Sequence, residues 1–110
     1  MVFNIAVSNN DDHLRNHGFI YQDGGWVLSP AYDINPVPDA QGLHLNISDV
    51  DNSLDYDLAM SVIDFFQLSF SEAQSIKSDV FASVSQWRKL AESLNISRSE
   101  QERMAPAFNI

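Results

Sequence analysis

The stretch Phe19-Ile20-Tyr21-Gln22-Asp23-Gly24-Gly25-Trp26-Val27-Leu28 constrains this chain more than any other. Two β-prone runs flank an Asp-Gly pair. Glycine takes positive φ without steric cost, so Asp-Gly between such runs turns the chain back on itself. A β-hairpin over 19–28 is expected. A reversal of this kind sets the segment before the first strand beside the segment after the second. Before it lies Ser8-Asn9-Asn10-Asp11-Asp12-His13-Leu14-Arg15-Asn16, which opens on loop formers. After it comes Ser29-Pro30-Ala31-Tyr32-Asp33.

Those flanks carry chemistry. Asp11 and Asn16 are five positions apart, and Asp33 follows Asn16 by seventeen. An Asp with an Asn five positions later is the spacing of a protein-kinase catalytic loop. There the Asp accepts the proton of the attacking hydroxyl and the Asn holds Mg²⁺; a second Asp, beyond a hairpin, holds the metal that bridges the phosphates. These side chains supply the hard oxygen donors that magnesium prefers. The expectation is a loop over 9–16, a hairpin over 19–28, and a segment over 29–36 that returns Asp33 to Asn16. Asp and Asn are also common loop residues because their side chains cap nearby backbone N–H groups. The spacing by itself therefore does not decide the chemistry. Asp12 reads as a solvated carboxylate and His13 as a residue that orients the loop by hydrogen bonds.

Composition removes several alternatives. Without cysteine there is neither a disulfide framework nor a thiolate zinc site. Of the three histidines, only His13 and His17 stand at a paired spacing, and with no cysteine and His44 alone elsewhere a zinc site is not expected. Asp49-Val50-Asp51-Asn52-Ser53-Leu54-Asp55 imitates a calcium loop, but Leu54 stands where Gly is required and Met60 where Glu is required. No apolar run approaches the roughly 18 residues of a membrane span, and no leader is visible. Of the net charge of −9, residues 1–64 carry all: ten acids and one base, Arg15. Such a surface favours a cation or a basic partner and repels nucleic acid.

At 110 residues the chain makes a single domain, 1–110. Val2-Phe3-Asn4-Ile5-Ala6-Val7 is apolar but too short for periodicity to separate helix from strand. Residues 34–53 read as irregular, with a short strand over 43–47. The remainder, 54–108, reads as helical. A helix over 55–67 places Leu58, Val62, Phe65 and Phe66 on one face. A long helix opens near 69–71, where Ser71-Glu72-Ala73-Gln74 and Ser69-Phe70-Ser71-Glu72 compete as capping boxes. It runs to about 94, with Ala73, Ile76, Val80, Val84, Trp87, Ala91 and Leu94 forming a core stripe. Ser97-Arg98-Ser99-Glu100 caps a last helix that Pro106 ends. The fold class is mainly α with a small β-hairpin (α+β).

Asn4-Ile5, Asn10-Asp11-Asp12-His13-Leu14-Arg15-Asn16-His17-Gly18-Phe19, and Gly25-Trp26-Val27-Leu28-Ser29-Pro30-Ala31-Tyr32-Asp33-Ile34-Asn35-Pro36 closely resemble the C-terminal part of HipA-like serine/threonine kinases, toxins of bacterial toxin–antitoxin systems. The similarity extends to Trp87-Arg88 and to Met104-Ala105-Pro106-Ala107-Phe108. It implies a kinase-like C-lobe fragment in which Asp11 is the catalytic base and Asn16 and Asp33 are Mg²⁺ ligands. It also implies ATP, a protein substrate and a DNA-binding antitoxin as partners, in the cytoplasm. The family keeps its phosphate-covering loop and ATP-binding lysine in an N-terminal lobe. Here Gly18, Gly24, Gly25 and Gly42 form no glycine-rich loop, and both lysines, Lys77 and Lys89, fall in the helical part. Asp33 is followed by Ile34-Asn35 where the common kinase motif has Phe-Gly, a departure that this family shares.

Phosphoryl transfer depends on positioning and charge neutralisation, so these residues alone are expected to be inactive. Rival expectations are a truncated remnant of such a kinase, or a non-catalytic interaction module that self-associates through apolar surface left where the N-terminal lobe would sit, with Phe3, Ile5 and Val7 as candidates.

Overall fold

The computed structural model describes residues 1–110. Helix α1 (Val2–Ala6) opens the chain and is followed by the hairpin strands β1 (Phe19–Gln22) and β2 (Gly25–Leu28). A long irregular segment then leads to four helices: α2 (Tyr56–Ser61), α3 (Phe70–Val84), α4 (Trp87–Ser93) and α5 (Arg98–Met104). Short 3₁₀ turns occupy Leu14–Asn16, Ile63–Phe66 and Ala105–Ala107. The fold is thus mostly helical with one antiparallel hairpin, the expected α+β class. No helix is long and apolar enough to cross a membrane.

The undecided run at the start is a helix. Five residues are too few for a helix to stand alone in water, and burial holds this one. Ile5 and Ala6 are at 0% exposure, Val7 at 3%. Ile5 packs with Leu43, Ile47, Ala59 and Val62, while Ala6 and Val7 pack with Val84. Its carbonyls at the C-terminal end are satisfied from elsewhere: Asn109 N–H donates to Ala6 O at 2.9 Å and Val37 N–H to Val7 O at 3.2 Å. Of the three candidates for exposed apolar surface, Ile5 and Val7 are therefore interior, and only Phe3, at 36%, reaches solvent.

The hairpin forms as expected, with four-residue strands in register Phe19↔Leu28 to Gln22↔Gly25. Its two-residue turn has φ of 50° at Asp23 and 82° at Gly24, the doubly positive pattern of a type I′ turn. Tyr21 and Trp26, directly opposite, meet edge to face at 5.3 Å. Every residue of both strands is exposed.

Three helical expectations are corrected. The helix expected over 55–67 ends at Ser61 and tightens into the 3₁₀ turn Ile63–Phe66, which left-handed Gln67 (φ 56°) stops. Val62 is buried, but Phe65 and Phe66 are 85% and 56% exposed. The long helix breaks after Val84: the Ser85 hydroxyl donates back to Ala82 O at 3.0 Å, and Gln86 N–H turns to Ser83 O. The break redirects Trp87 to stack on Phe108, rings 4.1 Å apart. Ala73, Val84 and Ala91 from the expected stripe are buried, whereas Ile76 and Leu94 are not.

The third correction concerns capping. Ser69 and Glu72 form the box that opens α3, and the rival starting at Ser71 is not used; Ser97 and Glu100 open α5 as expected. The strand expected over 43–47 is absent. Leu43 and Ile47 N–H groups donate to Asn52 O and Asp51 O, so a loop reversal replaces a ladder. A Cβ at Gly42 would lie 3.2 Å from Asn52 Oδ1, so a side chain there would require Asn52 to give by a few tenths of an ångström.

Hydrogen bonds from Ser69 and Ser97 hold the Glu72 and Glu100 carboxyls below their ordinary value of 4.5. A depressed folded-state value means that this stabilisation is present above pH 4.5 and is lost as the pH falls through the folded value. Helical circular dichroism and Tm should fall in that window. A Ser69→Ala/Ser97→Ala variant should have a lower Tm at neutral pH and a flatter acid response.

Candidate functional site

The loop after α1 is shaped by two backbone devices. Ser8 adopts a left-handed φ of 51° and is buried, which turns the chain sharply off the helix. The 3₁₀ turn Leu14–Asn16 then closes with Asn16 N–H donating to His13 O at 2.8 Å. A tight turn sends successive side chains in different directions: Leu14 is 76% exposed and Asn16 only 7%. Asn16 thus points into the molecule from an otherwise exposed loop.

The hairpin brings the second half of the site back. Ser29 N–H donates to Gly18 O at 2.8 Å, which extends the pairing one step below the strands. The Tyr32 hydroxyl donates to Arg15 O, also at 2.8 Å, and pins the returning segment to the 3₁₀ turn. Asn16 Nδ2 donates to Asp33 Oδ2 at 2.9 Å. Asn35 Nδ2 donates to Asp33 Oδ1 at 2.9 Å. Asp33 itself is held at φ 55°, a left-handed conformation that Asp tolerates better than most residues.

Asn16 and Asp33 are therefore brought together. Asp11 lies exposed on the same loop and makes no hydrogen bond to either. One atom is left over: Asn16 Oδ1 is buried and has no hydrogen-bond partner. A buried unpartnered acceptor is costly, about 1–3 kcal/mol, and this one sits on a side chain bonded to a carboxylate. The donor set is hard oxygen from one amide and one carboxylate. No group of three or more His, Cys, Asp or Glu side chains forms a metal cage. A cation that keeps several waters and takes one or two protein oxygens, as magnesium does, fits such a set; zinc does not.

A cleft of about 390 Å³ opens beside these groups, between Asn4, Asp12, Asn16 and His17 on one wall and Ser29 and Tyr32 on the other. Two readings of the loop are corrected here. Asp12 is not simply solvated: it is half-buried, accepts from Asn4 Nδ2, and pairs with His17 Nε2 at 2.9 Å. His13 does not orient the loop by side-chain hydrogen bonds. Its Nδ1 is buried without a partner, and its ring meets His44 edge to face at 5.8 Å. The sequence signal that could have found the Asp12 pair is the five-residue step from Asp12 to His17, one position behind the step from Asp11 to Asn16.

The family model of the HipA-like C-terminal domain matches residues 1–108. No curated protein and no solved structure matches the chain.

Tyr32→Phe should cost about 0.5 kcal/mol in urea unfolding, the low end for a hydrogen bond because this one faces solvent. The Asn16 side-chain amide resonances should shift with it as the returning segment loosens.

Proposed function

The chain belongs to the HipA-like C-terminal domain family, and on that premise we propose that residues 1–110 are the catalytic-loop portion of a serine/threonine kinase. The reaction is transfer of the γ-phosphoryl group of ATP to a protein hydroxyl. The hydroxyl oxygen bonds to phosphorus, the bond to the bridging oxygen of ADP breaks, and the hydroxyl proton passes to the Asp11 carboxylate. Asn16 and Asp33 hold magnesium, which when bound neutralises charge on the phosphates. The single observation that carries this reading is the Asn16–Asp33 hydrogen bond with Asn16 Oδ1 left buried and unpartnered beside it.

The kinase-like C-lobe, the cytoplasmic setting, the protein substrate and a DNA-binding antitoxin partner belong to the same proposal. The groups that would grip ATP phosphates lie outside these residues. Lys77 sits over the Tyr56 ring at 4.9 Å on α3, and Lys89 belongs to α4. The 110 residues are accordingly expected to show no useful phosphoryl transfer alone.

Manganese, a paramagnetic stand-in for magnesium, tests the cation site directly. It should broaden the Asn16 side-chain amide and the Asp33 backbone amide saturably, and Asp33→Ala should abolish the effect. No localised broadening in the native sequence would remove the site. In a kinase that includes this domain, Asp11→Asn should lower kcat by about 10²–10⁴-fold, the usual contribution of a general base.

A second reading, an interaction module, is favoured by one observation. Phe19, Tyr21, Trp26 and Leu28 on the hairpin are all more than 60% exposed. A concentration-dependent sedimentation coefficient that Trp26→Ser abolishes is the expected outcome on that reading.

A further inference from the structure

Asp12 is the one carboxylate in the loop that is tied on both sides, and the pattern of its ties is specific. It accepts from Asn4 Nδ2, a side chain carried by α1 and 7% exposed. It also pairs with His17 Nε2 at 2.9 Å. Asn4 in turn accepts from Asn9 Nδ2 at 3.3 Å through its own Oδ1, and Asn9 is 1% exposed. The network thus runs Asn9 to Asn4 to Asp12 to His17. It begins at buried Asn9, passes through Asn4 on α1, and ends on the residue that follows Asn16.

Asp12 follows Asp11 in sequence, and His17 follows Asn16. The Asp12–His17 pair therefore ties together the next-door neighbours of the two residues proposed to act on the substrate hydroxyl and the cation. Closing a short loop at both ends fixes the separation of the groups at those ends. The Asn4 bond adds an absolute reference, because α1 cannot shift without exposing Ile5. Asp11 has no hydrogen bond of its own to hold it. The side-chain bonds nearest to it in the chain are those of its neighbour Asp12, with the Asn9–Asn4 bond two residues before it.

We propose that Asp12 is a positioning residue: through Asn4 and His17 it sets the distance and direction of Asp11 relative to Asn16. This rests on the kinase reading for its consequence, not for its geometry. Positioning within a fraction of an ångström is what phosphoryl transfer demands of such a loop.

The network also supplies its own control. Exchanging the two residues, Asn4→Asp with Asp12→Asn, keeps every donor matched to an acceptor. The new amide at 12 donates to the carboxylate at 4 and accepts from His17, and the carboxylate at 4 still accepts from Asn9. Backbone ¹⁵N relaxation on the metal-free 110-residue chain reads the result. In Asp12→Ala, order parameters of residues 11–16 should fall from about 0.85 to below about 0.6, while those of α3 and α5 stay unchanged. The exchanged double variant should recover the native values. Unchanged order in Asp12→Ala, or a double variant as mobile as the single one, overturns the proposal.

Should Asp12→Ala not fold, His17→Ala removes one tie only. A lower order parameter over 11–16 is then expected, and an unaltered one overturns the claim. Manganese affinity at Asn16 should drop about tenfold in Asp12→Ala and return in the exchange. If the native sequence binds no manganese, the cation reading falls, and loop order alone decides this one.

Discussion

Burial of α1 is the constraint on which the rest of the structure depends. It is one and a half turns of helix with no side-chain cap at its start, so nothing local makes it stable. Its stability is tertiary. Ile5 fills a cluster made by Leu43 and Ile47 from the irregular segment and by Ala59 and Val62 from α2 and its end. Ala6 and Val7 contact Val84 at the end of α3, with Phe108 beside them. Segments remote in sequence are therefore joined through one short element. The same element carries Asn4, and its end fixes where the candidate loop departs. Core and site share a frame, so a shift in one is transmitted to the other.

The distribution of apolar surface is a consequence of this arrangement. Sixteen of 110 residues are buried, and the interior is mostly small or medium side chains. Many of the large ones stay outside, with Phe65, Phe70 and the whole hairpin among them. Two strands alone have no second layer to face, and an isolated hairpin is marginal in water. This hairpin persists because its turn is well chosen and its base is pinned by Ser29 to Gly18 and by Tyr32 to Arg15. Its role within these residues is a lever: it returns Asp33 to Asn16. Its outer faces do nothing for the core.

How much of this was legible in the sequence depended on the range of the interaction. The hairpin and the Ser97–Glu100 cap are local, and their residues name them. The return of Asp33 to Asn16 follows from the hairpin by geometry alone. The break after Val84 could not be read from periodicity, since the apolar spacing continues through it. It is driven by Ser85 bonding back and by the stacking of Trp87 on Phe108, a contact that links two separate elements. The strand expected over 43–47 failed because Asp51 and Asn52 offered backbone acceptors closer than any strand partner. The fate of Ile5 and Val7 turned on neighbours some forty to eighty positions away, which no local pattern encodes.

The candidate site divides in the same way. Asp11, Asn16 and Asp33 stood out because their types and spacing carry chemistry. Asp12 did not, because a carboxylate next to another in a loop is ordinarily solvated. What changes its character is Asn4, eight positions earlier. A buried amide on α1 must find partners, and it has found an acceptor in Asp12 and a donor in Asn9. The loop is in this sense shaped by the hydrogen-bonding demand of the core beneath it. The chain's own side chains satisfy that demand, whereas they leave Asn16 Oδ1 without a donor. The contrast separates the polar groups that hold the loop in place from the two still lacking a partner, Asn16 Oδ1 and His13 Nδ1. Of these two, Asn16 is the side chain that faces Asp33.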